Sequence, residues 1–537
     1  MSRCVLNWSV SAVVLLAFLL RVWNVDQRSI WFDEAFSWTL CSEFGPLEII
    51  QRTGEDVHPP FYYLVLWAWI HVFGESLLAM RFLSVLFGTA AVIVAWQVGL
   101  ECLRFCGSRS PTTSEDNGTP GRIHGLVFAL LVASSPFQIH WSGEVRMYAL
   151  LSLLFLLSLL FGLRALNRPE NCTRSLIGFT VTVALIMYTH NYGLFSAVAE
   201  CGAFVLLALW RDRRDAEFRA SRMAGRLILA GGIAGLLYVP WLPSLLHQRS
   251  QVADNYWISR FTLNQLASAW DGVVFPENGY SVWQATRGKI AWVVTILLLI
   301  GLQVRARAMD VLVLILVAVP TGLAVGISMA GASIISYRLF VLIHLSALLA
   351  AARGIQKWLD PVGAVVFGVV LFADGVWLHS EHVAQFDLAN RPGPREAMEW
   401  VDAARAAGEP VYVVHPCVYF SLRYHAKERD QVVLCTLPQN ILHYTGKPIL
   451  KPGERHDLNE LMETGRDRVW IIDCTGFSAG HQRPLLPASL EWIRDERFDS
   501  PFSFEGTVVV SEYHVGGDVR RDDEHQPGSS AGTSDEE

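Results

Sequence analysis

The sequence predicts an all-α, many-span membrane domain followed by a smaller α/β domain outside the membrane. Three observations favour this fold class. Hydrophobic residues make up 52% of the chain and charged residues only 17%, which is little charge for a soluble protein. The apolar residues fall in blocks of about 17–25 residues, the length of a helix that crosses a bilayer. After residue 378 these blocks give way to short β-branched runs.

The apolar blocks predict about eleven spans. The first block, residues 5–22, contains Arg21 near its end and is followed by Trp23 and Asn24. A signal-peptide cleavage site would have small residues here, so we expect a retained span. The later blocks comprise residues 82–103, 124–139, 147–165, 175–189, 192–210, 227–245, 290–304, 311–329, 337–351 and 363–378.

Basic residues indicate the orientation, because short cytoplasmic loops are enriched in Lys and Arg. Five basic loops fall on one side if residues 59–73 do not cross the membrane. That segment is only about 15 residues long and begins with two prolines, so we expect an interfacial or re-entrant helix. The N-terminus then lies in the cytoplasm, the first outer loop covers residues 24–81, and the chain after residue 378 lies outside the plasma membrane.

The C-terminal region divides into two parts. Residues 379–518 combine helical spacing at 395–407 with β-branched runs, which predicts an α/β domain. Residues 519–537 are rich in charge, Gly and Ser, which predicts a disordered tail. The membrane domain before these two parts covers residues 1–378. The chain has no Gly-rich phosphate loop between a strand and a helix, so we do not expect it to bind a nucleotide-linked substrate. We also expect no nucleic-acid partner.

Two motifs in the first outer loop carry candidate chemistry. Asp33 and Glu34 are adjacent carboxylates between aromatic residues close to a span end, where acids are costly unless they are used or solvated. A solvated loop with helix-capping acids is the alternative interpretation. Asp56-Val57-His58-Pro59-Pro60 ends the same loop, and its alternative interpretation is a rigid turn that enters a helix. Their occurrence together in one loop favours a functional site.

Through these two motifs and several further ones, this chain resembles the protein O-mannosyltransferases, the lipid A aminoarabinose transferases and the bacterial dolichyl-phosphate-mannose-transferase-like proteins of the GT-C superfamily. The resemblance covers about residues 1–352 and does not reach the C-terminal domain. It is carried by Phe32-Asp33-Glu34, by residues 56–60, by Ser135-Pro136 with residues 142–148, and more weakly by residues 188–193 and Tyr337-Arg338.

The resemblance implies a membrane glycosyltransferase that takes a sugar from a polyprenyl-phosphate donor. The acceptor is a hydroxyl group on a lipid, a protein or a glycan. In these families the first-loop Asp is the proposed catalytic base, which implies that role for Asp33, with Glu34 beside it. Glu144 occupies the place of a second acidic motif of related oligosaccharyltransferases. The two-aspartate pattern is absent there, which leaves a requirement for Mg²⁺ or Mn²⁺ open.

The chemistry of such a transfer predicts which residues bind the donor. An inverting displacement needs a base for the acceptor hydroxyl. It needs no general acid, because phosphate leaves as a stable anion, but that anion needs cationic or dipolar stabilisation. Arg338 is the preferred phosphate ligand, with Arg146, His58, His190 and Glu144 as further donor-site candidates. Alternatively, Arg338 anchors a span end by snorkelling, Arg146 pairs with Glu144, and His190 is an interfacial residue.

Two other classes of protein fit the composition. A secondary transporter also has many spans and charges within the membrane, but transporters usually show repeated halves with broken helices, and the sequence shows no internal repeat. An inactive relative that only binds lipid-linked sugar is the other alternative. The intact Asp33-Glu34 pair favours an enzyme.

Overall fold

The computed structural model describes residues 3–106, 118–212, 220–254, 258, 260–274, 308–384, 391–458, 467–477, 482–502 and 504–515. Helices dominate its first three quarters. In chain order they are α1 Arg3–Val22, α2 Phe32–Glu43, α3 Pro46–Gly54, α4 Phe61–Phe73, α5 Leu77–Cys106, α6 Gly118–Ser134, α7 Pro136–Ser142, α8 Tyr148–Asn167, α9 Thr173–Thr189, α10 Gly193–Asp212, α11 Ala220–Tyr238, α12 Leu242–Asp254, α13 Leu263–Val274, α14 Ala308–Ala330, α15 Phe340–Trp358 and α16 Pro361–Ala384.

Within the described residues, seven helical segments are long and apolar enough to cross a membrane, or eight if the bent pair α6 and α7 forms one span. The predicted many-span helical domain is therefore confirmed. Three shorter apolar helices, Trp8–Val22, α4 and α9, fall below that length. The predicted span at residues 290–304 lies outside the described residues. The total of eleven spans stays a prediction, as do the orientation of the termini and the interfacial placement of α4.

The predicted span at residues 124–139 is broken, which the apolar pattern did not indicate. α6 ends at Ser134 and α7 begins at Pro136, with a bend of 62° between them. Proline has no backbone N–H and clashes with the preceding turn, so a continuous helix is disfavoured at this point. Arg21 on α1 stabilises the break, because its guanidinium donates hydrogen bonds to the carbonyl oxygens of Val132 (3.2 Å) and Ala133 (3.1 Å).

The C-terminal domain is α/β, as predicted. A six-stranded sheet has the order β3-β2-β1-β4-β6-β5, with β1 to β4 parallel and β5 and β6 antiparallel to their neighbours. The β-branched runs at residues 411–414, 431–434, 468–472 and 507–510 predict β1, β2, β4 and β6, whereas the short β3 and the mostly exposed β5 lack such a run. The elements are α17 Gly393–Ala404, β1 Val411–Val413, α18 Pro416–His425, β2 Val432–Cys435, β3 Arg455–His456, β4 Arg468–Cys474, β5 Leu490–Asp499 and β6 Thr507–Val515. The predicted tail, residues 519–537, lies outside the described residues.

The C-terminal domain is docked on the first outer loop. The Trp31 ring packs against the rings of Phe502 (5.4 Å) and Phe504 (5.3 Å). The backbone N–H of Phe32 donates to Glu505 Oε1 at 3.3 Å. Because these contacts join the two residues immediately before Asp33 to the domain, the domain fixes the position of the start of α2.

Ion pairs extend the same interface along α2 and α3. Arg423 on α18 pairs with Glu43 at 2.9 Å, and Lys451 pairs with Glu43 at 2.5 Å. Arg52 on α3 donates from Nη1 to the carbonyl oxygen of Pro448 at 2.7 Å. The two domains therefore meet through an extended interface rather than through a linker alone.

Candidate active site

A cavity of about 150 Å³, lined by charged, aromatic and aliphatic residues, lies where the first outer loop, several span ends and the C-terminal domain meet. Segments far apart in sequence contribute to it. The first-loop motifs, the segment before α8, the α9–α10 corner, α12, the start of the Tyr337–Trp358 span and the C-terminal domain meet at this cavity. The lining residues are Phe32, Asp33, Phe36, Asp56, Val57, His58, Arg146, His190, Asn191, Tyr192, Val252, Ile334, Ser336, Arg338, His443, Tyr444 and Gly446.

Asp33 lies in this cavity between two arginines. Its Oδ2 atom is 3.0 Å from Arg338 Nη1 and 3.4 Å from Arg146 Nη2. Burial raises the pKa of Asp33, but the Arg146 and Arg338 charges outweigh burial and hold that pKa below its ordinary value. The carboxylate is therefore ionised at neutral pH. Arg146 also donates from Nη1 to the backbone carbonyl of Asp33 at 3.3 Å, so it fixes the residue at two points.

Glu34 lies outside the cavity lining although it is adjacent to Asp33. Its carboxylate accepts two hydrogen bonds from Arg81, at 2.9 Å from Nε and 2.6 Å from Nη2. It also accepts from the backbone N–H of Val145 at 2.9 Å. Both side chains of the pair are fully buried. Successive helical residues point in different directions, so the acid that follows Asp33 is directed into the protein.

His58 connects Arg146 to a second buried carboxylate. Its Nδ1 is 3.2 Å from Asp56 Oδ2, and its Nε2 is 3.4 Å from Arg146 Nη2. A guanidinium group can only donate, so Nε2 accepts and Nδ1 carries the proton that Asp56 accepts. Burial and the Arg146 charge hold the pKa of His58 well below its usual value, which agrees with this neutral form. Burial raises the pKa of Asp56 to about 7.

His190 lines the cavity between the rings of Tyr192 and His58. Its Nδ1 accepts from the backbone N–H of Tyr192 at 3.1 Å, and its ring stacks on the Tyr192 ring at 4.7 Å. The His58 ring lies 5.1 Å away, edge to face. Burial, followed by the positive groups nearby, places the pKa of His190 well below its usual value. A neutral imidazole at this point provides a hydrogen bond rather than a charge.

Glu144, the remaining predicted donor-site residue, does not line the cavity. It is buried beside His140 (3.2 Å) and Arg28 (3.9 Å). Among the described residues, no group of three or more His, Cys, Asp or Glu side chains converges as a metal site. The residues at the cavity do not fit a divalent cation, because Asp33 already faces two guanidinium groups and Glu144 is directed elsewhere.

The sequence pattern did not indicate the contribution of the C-terminal domain. His443, Tyr444 and Gly446 line the cavity, and they lie beyond the region that carries the resemblance. Asn191, Tyr192 and Ser336 also line the cavity, and each is close in sequence to a predicted site residue. No local signal marks residues 443–446, because their role depends on how the domain docks.

The many-span bundle and the α/β domain share their fold with a solved structure, which supports the resemblance at the level of fold. Comparison with protein-family models and with curated proteins gave no significant match. The chain is similar to the crystal structure of ArnT from Cupriavidus metallidurans bound to undecaprenyl phosphate, with 14% identity, a TM-score of 0.50, and 94% of this chain and 98% of that chain covered. At 14% identity the similarity concerns the fold.

Two more distant structures also match. The arabinofuranosyltransferase AftD from Mycobacteria has 14% identity and a TM-score of 0.45, with 97% of this chain and 42% of that chain covered. The S. cerevisiae protein O-mannosyltransferase Pmt1-Pmt2 complex bound to the sugar donor has 18% identity and a TM-score of 0.34, with 46% and 35% covered.

Proposed function

We propose that this chain is a membrane glycosyltransferase that moves a sugar from a polyprenyl-phosphate donor to a hydroxyl acceptor at the outer face of the plasma membrane. The observation that supports it best is the ionised carboxylate of Asp33, paired with Arg146 and Arg338 inside a cavity at the ends of membrane helices. A base and an anion-binding pair in one cavity are the two elements that this reaction requires. The similar ArnT structure holds undecaprenyl phosphate.

In the proposed reaction the acceptor hydroxyl attacks the anomeric carbon of the donor sugar. The bond between that carbon and the phosphate oxygen breaks, and the phosphate leaves as an anion held by Arg338 and Arg146. The hydroxyl proton passes to Asp33. His58 and His190 line the cavity beside the donor sugar, and their neutral imidazole rings provide hydrogen-bonding groups.

The arginines have two roles in this proposal. In the structure they neutralise Asp33 and lower its pKa, which makes it a weak base. A bound donor phosphate competes for the same guanidinium groups and so weakens their hold on the carboxylate. The pKa of Asp33 then rises, and the residue becomes a better proton acceptor when the donor is present. Glu34 has a positioning role here, since its pair with Arg81 anchors the helix that carries Asp33.

The test is Asp33→Asn. We expect turnover to fall by about 10²-fold or more, the effect of a lost general base. Binding of undecaprenyl phosphate should be retained or tightened, because the competing carboxylate charge is gone. Transfer is measured as restoration of the sugar that mass spectrometry shows to be missing in a gene-deletion strain. Asp26→Asn, an exposed change in the same loop, is the matched control. Near-normal turnover per folded Asp33→Asn molecule would contradict the proposal.

A further inference from the structure

The loop of the C-terminal domain that lines the cavity has a fixed conformation. It consists of two short 3-10 turns, His443–Thr445 and Lys447–Ile449. Thr445 closes the first turn, since its Oγ1 accepts from the backbone N–H of Leu442 at 2.7 Å and donates to the carbonyl oxygen of Asn440 at 2.8 Å. These bonds hold the loop in one shape before any ligand binds.

Gly446 joins the two turns and requires a residue without a side chain. Its φ is +96°, a left-handed conformation that glycine adopts readily. A Cβ atom at this position would lie 2.4 Å from the Phe420 ring on α18. The loop therefore packs directly on the domain core, and Arg52 of the membrane domain binds it at Pro448. A loop held from both sides presents its His443 and Tyr444 side chains in defined positions.

Short contacts link the charged groups of the cavity in a chain. Arg338 lies 3.0 Å from Asp33, and Asp33 lies 3.4 Å from Arg146. The chain continues from Arg146 to His58 at 3.4 Å and from His58 to Asp56 at 3.2 Å. Arg338 is therefore at one end of this chain and Asp56 at the other, and His443 and Tyr444 of the C-terminal domain line the same cavity.

This order matters for an inverting displacement, because the incoming hydroxyl and the leaving phosphate lie on opposite sides of the anomeric carbon. If Arg338 and Arg146 hold the phosphate, the acceptor approaches from the side of His443 and Tyr444. That side faces the C-terminal domain rather than the membrane helices. Tyr and His each combine an apolar ring face with a polar edge. A sugar ring has the matching surface, with C–H faces and hydroxyl edges.

We propose that His443, Tyr444 and Asp56 form an acceptor subsite, which binds a hydroxyl-bearing sugar ring and directs one hydroxyl toward Asp33. The inference rests on the proposed function and adds the acceptor class to it. The C-terminal domain then sets acceptor specificity, while the membrane domain binds the donor. Asp56 accepts hydrogen bonds from sugar hydroxyls or from His58, and the Tyr444 ring packs against the sugar face.

The experiment compares Tyr444→Ala and His443→Ala with Trp492→Ala, an exposed aromatic residue on the edge strand β5 that serves as control. Each full-length variant is measured for sugar transfer in membranes of the deletion strain and, after purification, for binding of undecaprenyl phosphate. We expect transfer to fall roughly tenfold or more in the first two variants, the scale of a lost hydrogen bond or ring contact. Binding of undecaprenyl phosphate should stay within about twofold of wild type in all three.

The outcomes separate this inference from the proposed function. If Asp33→Asn is inactive but Tyr444→Ala and His443→Ala transfer normally, the acceptor subsite is wrong and the function stands. Parallel loss of undecaprenyl phosphate binding would assign the loop to the donor and overturn the subsite. Mass spectrometry of the product decides the acceptor class: a new sugar-to-sugar bond supports the inference, and attachment to a Ser or Thr side chain contradicts it. If Asp33→Asn is active, the proposed function itself fails.

Discussion

Asp33 Oδ2 and Arg338 Nη1 form an ion pair of 3.0 Å, although Asp33 lies in the first outer loop and Arg338 opens one of the last spans. The pair joins the two ends of the membrane domain's sequence at one cavity. Together with Arg146, Arg338 neutralises the charge of the Asp33 carboxylate. In the proposed reaction, a phosphate group that binds to Arg338 replaces the Asp33 carboxylate as the partner of the Arg338 guanidinium. Donor binding and the basicity of Asp33 are therefore coupled.

Arg338→Gln tests this coupling. We expect the affinity for undecaprenyl phosphate to fall about 10–100-fold, the effect of losing a charge-assisted hydrogen bond. The pKa of Asp33 should rise in the ligand-free protein, because one of the charges that lowers it is removed. Binding is measured on purified protein, and Arg249→Gln, an exposed change on α12, is the control. Unchanged affinity would show that Arg338 anchors the span end instead.

Glu34→Gln tests the positioning role. Arg81 would be left as an uncompensated buried charge, so we expect a loss of roughly 3–5 kcal/mol in the free energy of unfolding. Activity per folded molecule should fall much less than in Asp33→Asn. Thermal unfolding in detergent, with transfer normalised to folded protein, gives both quantities. A stable Glu34→Gln protein without activity would instead place Glu34 in the chemistry.

The buried Asp56 predicts a pH dependence of stability. Its pKa is raised from 3.8 to about 7 in the folded protein, so the folded state binds the proton more tightly than the unfolded state. The stabilisation is fully present below pH 3.8 and is lost as the pH rises through about 7. Asp56→Asn should therefore flatten the fall in melting temperature between pH 5 and about pH 8. Glu170→Gln, exposed at the opposite end of the bundle, should leave that fall unchanged.

Orientation remains a prediction that cysteine labelling can test. Leu485 in the C-terminal domain is 89% exposed, and Glu170 is exposed in the turn between α8 and α9. In intact cells, Leu485→Cys should react with a membrane-impermeant thiol reagent and Glu170→Cys should not. Reaction of only Glu170→Cys would invert the orientation and move the cavity to the cytoplasmic face.

Part of the candidate site could be predicted from local sequence. Asp33, His58, Arg146, His190 and Arg338 were all selected as site residues, and the structure brings all five into one cavity. Charged residues close to span ends are costly in a membrane, which is why such positions draw attention in the sequence. The same logic selected Glu34 and Glu144, which lie outside the cavity lining in pairs with Arg81 and with Arg28 and His140.

The sequence by itself determined the many-span helical domain, the α/β domain after it, and the short list of charged residues. Apolar block length and β-branched runs are local properties, because each helix or strand satisfies a local requirement for burial and backbone hydrogen bonds. Tertiary structure decided which acid faces the cavity and the contribution of His443 and Tyr444. These features depend on side-chain direction and on docking between distant segments, where a contact such as Arg52 to Pro448 leaves no periodic mark in the chain.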